Sequence, residues 1–154
     1  MSKLIAVSDE LAGACGAVTF WSLRDGADYD TLEKNWNAAG LPADWLLSLP
    51  STTEALRRAM AKQRKSDRIV RPLKGEKGWA VCHETSPGSK KLEHNQIFCV
   101  TIGDFGILEF EGNINGERSE IQAAYDKALY TLTTDDLSPW LSRLVNIKYG
   151  PLGA

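Results

Sequence analysis

The segment NQIFCVTIGDFGILEFE, residues 95–111, contains two short apolar runs on either side of a glycine-containing turn. IFCVTI (97–102) is apolar at nearly every position, which is typical of a strand covered on both faces. ILEFE (107–111) follows as a second strand candidate. Between them, Gly103 and Asp104 suit a tight two-residue turn. The segment therefore predicts an antiparallel hairpin whose first strand lies in the middle of a sheet.

Two further strand candidates precede this hairpin. They are RIVRPLK (68–74) and GWAVCHE (78–84). Gly75 to Gly78 closes the first turn, and SPGSKK (86–91) forms a second, wider loop. Because strands joined by turns pair antiparallel, residues 68–111 predict a four-stranded antiparallel meander with IFCVTI central.

Helical patterns lie before the meander. DTLEKNWNAAG (30–40) begins with a capping-box-like Asp-x-x-Glu and ends on a glycine, which predicts one helix. STTE (51–54) is a full Ser-x-x-Glu capping box and predicts a second helix that runs to about Lys65. Further upstream, AVTFWSL (17–23) predicts an N-terminal strand.

Two more helices follow the meander. An apolar stripe at helical spacing predicts one over residues 118–132, and Ser138-Pro139 predicts the start of another as its N-cap and first residue. We therefore expect an α+β fold in a single domain, 1–154, with the N-terminal strand, the N-terminal helices and both C-terminal helices packed on the meander. The predicted core comprises Leu32, Trp36, Leu56, Val81, Phe98, Val100, Leu108, Phe110, Tyr125, Leu129 and Leu144.

Composition excludes several classes of protein. The chain has 154 residues, a hydrophobic fraction of 43%, a charged fraction of 25% and a formal net charge of -2. No run approaches the ~18 apolar residues that a membrane span requires, and the interrupted N-terminal run predicts no secretory signal. Cys15, Cys82 and Cys99 show no Cys-x-x-Cys spacing, so we expect free thiols in a reducing cytoplasm.

The charges are strongly polarised along the chain. The basic segment, residues 57–91, holds eleven of the eighteen Lys and Arg residues but three of the twenty Asp and Glu residues. Arg58, Lys62 and Lys65 are spaced to form one ridge on the predicted second helix. The candidate nucleic-acid-binding residues are Arg57, Arg58, Lys62, Lys65, Arg68, Arg71, Lys74, Lys77 and Trp79.

Three interpretations of the basic segment compete. Its cations could form a solvated face or pair with acidic residues of the same fold, they could contact nucleic acid, or they could dock an acidic protein. Trp21, Trp36 and Trp140 lie on predicted apolar faces and are expected in the core. Trp79 opens a strand after the basic turn, where an exposed indole could stack on a base.

Motifs for catalysis and metal binding are weak. Cys82 and His83 are adjacent in a predicted strand and should point to opposite faces, so they cannot join His94 and Cys99 around one ion without a bulge. The sequence has no phosphate-binding glycine loop, His-Glu-x-x-His motif or Gly-x-Ser-x-Gly motif. We therefore expect no enzymatic activity, no metal and no cofactor.

The stretch GLPADWLLSLPSTTEALRRAM (40–60) resembles the start of a family of uncharacterised bacteriophage proteins. The shared features are a Leu-Pro turn, Leu49-Pro50, and an apolar-Arg-Arg-Ala helix start carried by Ala55, Leu56, Arg57, Arg58 and Ala59. The resemblance implies a phage or prophage gene that acts in the host bacterial cytosol. It implies no site residues.

These observations together predict a non-enzymatic phage accessory protein that binds nucleic acid through a basic helix–hairpin face. The alternative is a protein–protein inhibitor or adaptor of a host defence or regulatory factor, with a host or phage protein as partner and an undetermined oligomeric state. Salt dependence separates the two, because phosphate contacts weaken steeply with salt.

Overall fold

The computed structural model describes residues 22–24, 26–85 and 93–149. The chain divides into two compact units, one formed by Met1–Ser48 with Leu132–Ala154 and the other by Leu49–Thr131. Each unit contains its own cluster of buried apolar side chains. The expectation of one domain over 1–154 stays a prediction.

The second unit contains the predicted meander. Its strands are β2 (Arg68–Pro72), β3 (Gly78–Thr85), β4 (Glu93–Ile102) and β5 (Leu108–Gly112). They pair antiparallel in the order β2-β3-β4-β5, so the IFCVTI strand is central as predicted. The α+β class is thereby confirmed. A bulge at Ile97 shifts the β3–β4 register, since Val81 pairs with Phe98 while Cys82 pairs with Gln96.

Helices α2 (Thr52–Ala61) and α3 (Glu117–Leu129) cover one face of this sheet. Alternation along β4 directs Phe98 and Val100 into that helical layer and Cys99 to the other face. All three side chains are buried, which confirms that the central strand is covered on both sides. The buried layer under the helices contains Ala55, Leu56, Ala59, Met60, Val81, Phe98, Val100, Leu108, Ile121 and Tyr125.

The connection between β4 and β5 differs from the predicted two-residue turn. Residues 103–107, the Phe105 loop, form a single 3-10 turn over Asp104–Gly106. Phe105 has φ 58 and ψ 18, the left-handed region, which costs a non-glycine residue roughly 1–2 kcal/mol. Because Gly103 keeps an extended conformation, the chain needs the three residues after it to reverse direction.

The predicted N-cap of α2 is confirmed, but the helix ends earlier in the chain than predicted. The Ser51 hydroxyl accepts from the Glu54 N–H at 3.1 Å. The helix then ends at Ala61 rather than near Lys65. Lys65 instead exchanges two backbone hydrogen bonds of 3.2 Å with Arg68, which turns the chain into β2.

The first unit contains α1 (Tyr29–Ala38), α4 (Thr134–Tyr149) and the two-residue strand β1 (Ala27–Asp28). It also contains Leu132 of the two-residue strand β6 (Thr131–Leu132), whose Thr131 belongs to the second unit. Trp36 and Trp140 pack with ring centroids 5.5 Å apart and are both buried, as predicted. Each indole N–H is satisfied locally, Trp36 by the Pro42 carbonyl at 2.9 Å and Trp140 by the Trp45 carbonyl at 2.7 Å. Leu132 and Leu137 complete this core.

Both helices of this unit start earlier than the sequence predicted. Asp28, not Asp30, caps α1 and accepts from the Thr31 N–H at 2.9 Å. Helix α4 begins at Thr134, so Pro139 lies inside it rather than at its first position. The Asp136 carboxylate accepts from the Thr133 N–H at 2.8 Å, and this side-chain bond sets the earlier start.

Most of the predicted core is confirmed. Seven of the eleven residues are buried, and the other four are half-buried against them, namely Leu32, Phe110, Leu129 and Leu144. The predicted N-terminal strand at 17–23 falls mainly outside the described residues, and Ser22 and Leu23 lie in no strand. The SPGSKK loop, Cys15 and Trp21 also lie outside them. The last helix belongs to the first unit, so its packing on the meander is not confirmed.

Candidate nucleic-acid interface

A groove opens where the C-terminal end of α2 meets the first hairpin. The Trp79 groove has a volume of about 280 Å³. Its lining residues are Arg57, Ala61, Arg64, Val70, Pro72 and Trp79. It joins two of the predicted site residues, Arg57 and Trp79, with Arg64, which is not among the predicted site residues.

Helical spacing explains the basic wall of the groove. Arg57, Ala61 and Arg64 are at i, i+4 and i+7 and therefore share one helix face. The helix ends at Ala61, but the N–H groups of Lys62, Gln63 and Arg64 still donate to the carbonyls three residues back. With this tighter winding, Arg64 lies on the same side as Arg57, and both line the groove. The predicted ridge of Arg58, Lys62 and Lys65 is wrong, since Lys65 lies beyond the helix and Arg58 is bonded within the unit.

Strand register explains the apolar floor. Pro72 pairs with Trp79 and Val70 pairs with Val81. Because side chains alternate along a strand, these four residues share the face that packs under the helices. Val70 and Trp79 are half-buried against the core. The indole is therefore held in place while part of its surface faces the groove.

Glu54 sets the electrostatics of the first turns of α2. Its carboxylate accepts from Arg57 at 2.6 and 2.7 Å and from Arg58 at 2.8 Å. The hydrogen bonds from Arg57 hold the pKa of Glu54 below its ordinary value, against burial, and those from Arg58 add to this effect. A lowered carboxyl pKa stabilises the fold at pH above the ordinary glutamate value, and this contribution is lost as the pH falls through the lowered pKa.

Besides Arg57, two predicted binding cations are bonded within the unit. The Arg58 side chain is 15% exposed and also donates to the Thr131 carbonyl at 3.2 Å. Arg68 donates to Glu117 on α3 at 2.9 Å, and this bond lowers the pKa of Glu117. Arg58 therefore links α2 to Thr131, and Arg68 links β2 to α3. Neither guanidinium group lines the groove.

Arg58→Ala should destabilise the chain by about 1–2 kcal/mol, because a half-buried, charge-assisted hydrogen bond is lost and the Thr131 carbonyl loses its donor. Arg64→Ala is the matched control, since Arg64 is exposed and bonded to no described side chain. Urea denaturation followed by far-ultraviolet circular dichroism measures both. Equal stability of the two variants would contradict the structural role of Arg58.

Arg71 is separated from the groove by the pleat of β2. Ile69 belongs to the cluster on the sheet face opposite the helices, and Arg71, two residues further along β2, points to that same face. Its guanidinium lies 2.6 Å from His94 Nε2. A donated Arg N–H requires Nε2 to act as acceptor, which places the imidazole proton on Nδ1. Arg71 therefore does not join the groove cations.

The remaining predicted cations are exposed lysines. Lys74 and Lys77 are at the tip of the hairpin, two residues from Pro72 and Trp79 respectively. Lys62 caps the C-terminus of α2, and Lys65 follows it. Within the described residues, none of these four side chains contacts a carboxylate.

The cysteine chemistry is that of buried thiols. Cys82 and Cys99 are free and each is 7% exposed, which confirms their prediction as small core residues. Burial, then the neighbouring carboxylates of Glu111 and Glu76, raise the pKa of the Cys99 thiol. A raised pKa disfavours the nucleophilic thiolate. Across 22–24, 26–85 and 93–149, no three His, Cys, Asp or Glu side chains are grouped to hold a metal ion.

In the part of the chain that the structure describes, every helix is too short or too polar to cross a membrane. No family model, curated protein or solved structure matches this chain.

Proposed function

We propose that this chain is a non-enzymatic nucleic-acid-binding protein whose contact surface is the Trp79 groove together with Lys74 and Lys77. The observation that carries the proposal is the position of three exposed cations. Arg64 lines the groove and the two lysines lie within two residues of its floor. None of the three contacts a carboxylate of a described residue, so all remain available to phosphate oxygens.

The groove combines the two chemistries that nucleic acid requires. Guanidinium and ammonium groups contact the backbone phosphates without regard to sequence. The half-buried Trp79 supplies an aromatic surface in the same groove that Arg64 and Pro72 line. Acidic side chains among the described residues of the basic segment are confined to Asp67, Glu76 and Glu84, outside the groove lining.

The resemblance of residues 40–60 to bacteriophage proteins supports a role for this chain in the cytosol of an infected bacterium. The absence of a catalytic motif in the sequence and the raised pKa of Cys99 support a binding role rather than a catalytic one.

Removing the three exposed cations should weaken binding and its salt dependence together. We expect the Arg64→Ala, Lys74→Ala, Lys77→Ala triple variant to bind a fluorescein-labelled DNA duplex more weakly than the wild type. The slope of log affinity against log salt should flatten by about 0.9 for each duplex phosphate that the variant no longer neutralises. Fluorescence anisotropy at four salt concentrations measures both quantities.

The control variant removes the same charge from other places. Lys34→Ala, Lys127→Ala, Arg143→Ala takes three exposed cations from outside the basic segment. It should keep most of the affinity if the groove is the site. Equal losses in the two triple variants indicate attraction by net charge alone and contradict the assigned surface. Wild-type affinity weaker than about 100 μM at low salt for duplex and single strand alike overturns the proposal, and the protein–protein alternative then becomes the better account.

A further inference from the structure

The Phe105 loop lies at the same end of the sheet as the basic hairpin. Gly78, at the start of β3, pairs with Thr101 near the end of β4. The Ile102 N–H also donates to the Lys77 carbonyl at 2.9 Å. The tips of the two hairpins are therefore neighbours, separated by the spacing of adjacent strands.

This loop presents an aromatic ring to solvent in a fixed position. Phe105 is 101% exposed and Ile107 is 65% exposed. The Tyr125 hydroxyl donates to the Gly106 carbonyl at 2.9 Å, and the Gly103 N–H donates to the Ile107 carbonyl at 2.8 Å. Gly106 also lies against α2, since a Cβ built there would be 3.3 Å from the Thr52 methyl group. The exposure of Phe105 is thus built into the backbone rather than a result of a loose tip.

We propose that Phe105 is a second stacking platform and that the nucleic acid bound by this chain is single-stranded. The inference rests on the proposed function of the Trp79 groove. Bases inside a duplex are already stacked on one another, so a protruding phenyl ring reaches a base face without the cost of unstacking only where the strand is unpaired. An exposed ring beside exposed lysines is the combination that single-strand binders use.

The length of α2 sets the scale of the surface that runs from the Phe105 loop to the Trp79 groove. Helix α2 runs from Thr52, which touches the Phe105 loop, to Ala61, which lines the Trp79 groove. Nine residues of helix span about 14 Å. At an axial rise of about 3.4 Å per nucleotide of a stacked strand, this length corresponds to roughly four nucleotides.

The charges around the loop orient the strand. Asp104 and Glu109 are exposed carboxylates at the Phe105 loop, since Asp104 lies in it and the Glu109 side chain lies against Gly103, and they repel phosphates. Lys74 and Lys77 at the neighbouring tip attract them. The backbone of the strand is therefore expected along the lysines, with a base turned toward Phe105. The same acidic surroundings also suit a basic protein partner, which the experiment below separates from nucleic acid.

The test compares Phe105→Ala with Phe105→Trp on a labelled twelve-nucleotide single strand and on the matching duplex. Removing one stacking platform should weaken single-strand binding by about 5- to 150-fold, with an unchanged salt slope because every phosphate contact is kept. Phe105→Trp should retain the wild-type affinity, and duplex affinity should be the same in all three proteins. Strands of two nucleotides should bind far more weakly than strands of six.

Two outcomes overturn the inference, and they differ from failure of the proposed function. If the wild type binds the single strand but Phe105→Ala binds it equally well, the stacking role is wrong and the groove proposal stands. If Phe105→Ala leaves nucleic-acid affinity intact but abolishes self-association in analytical ultracentrifugation, the ring is a protein contact. If the wild type binds neither probe, both proposals fail.

Discussion

Phe98→Ala should destabilise the chain by about 3–5 kcal/mol, the range for removing a buried phenyl ring from a core. Phe98 is fully buried on the central strand β4, where it contributes to the layer beneath α2 and α3. Truncation leaves a cavity that the flanking strands β3 and β5 cannot close without breaking their hydrogen bonds. Thermal or urea denaturation followed by circular dichroism gives the change in the free energy of unfolding.

The control for this prediction is the same substitution at a solvent-exposed site. Phe105→Ala removes an identical side chain that makes no core contact, and its effect on stability should be within about 0.5 kcal/mol of zero. A loss of stability at Phe105 comparable to that at Phe98 would mean that the Phe105 loop packs against the rest of the chain. Such a result would also remove the basis for the stacking proposal.

Gly112→Ala should cost about 2–6 kcal/mol, because two unfavourable effects combine. Gly112 has φ +105, a conformation that strains a residue with a Cβ by about 1–3 kcal/mol. The added Cβ would also lie 2.6 Å from the Ile97 carbonyl and 2.8 Å from Phe98 Cα. Both contacts are to backbone, so the central strand itself must shift, at a further cost of about 1–3 kcal/mol.

Gly75→Ala separates the two effects. Gly75 has φ +78 at the hairpin tip, and a Cβ there would meet nothing within 4 Å. It should therefore show the strain alone, about 1–2 kcal/mol. The two variants should differ in urea denaturation, with Gly112→Ala the less stable. Equal stabilities would show that β5 can move away from the bulge at Ile97.

The meander could be predicted because its signals are local. IFCVTI is apolar at nearly every position and is flanked by turn residues, so neighbouring residues alone specify a central strand. The Ser51–Glu54 cap is local for the same reason, since its hydrogen bond spans three residues. The predicted two-residue turn at Gly103-Asp104 was wrong, because a Gly-Asp pair is compatible with loops of more than one length. In the longer loop, the Gly106 carbonyl accepts a hydrogen bond from the hydroxyl of Tyr125, which lies on the distant helix α3.

The candidate site could be predicted only in part. The sequence predicted a basic and aromatic surface in residues 57–79. The helix face that it predicted is offset by one residue from the face that lines the groove, so the prediction left out Arg64. The i, i+4, i+7 spacing of Arg57, Ala61 and Arg64 was available as a signal. Nothing local favoured it over the equally spaced Arg58, Lys62 and Lys65, because the choice depends on where β2 packs against α2.

By itself, the sequence determined the α+β class, the order of the four meander strands and most of the core, because alternation and helical periodicity depend on residues a few positions apart. Only the tertiary structure decided which cations remain available. Arg68 is paired with Glu117, forty-nine residues away, and Arg71 is turned to the other face beside His94. It also decided that Phe105 is exposed in a left-handed turn. Ion pairs and loop shapes depend on groups that folding brings together across the chain, and no local pattern records those distances.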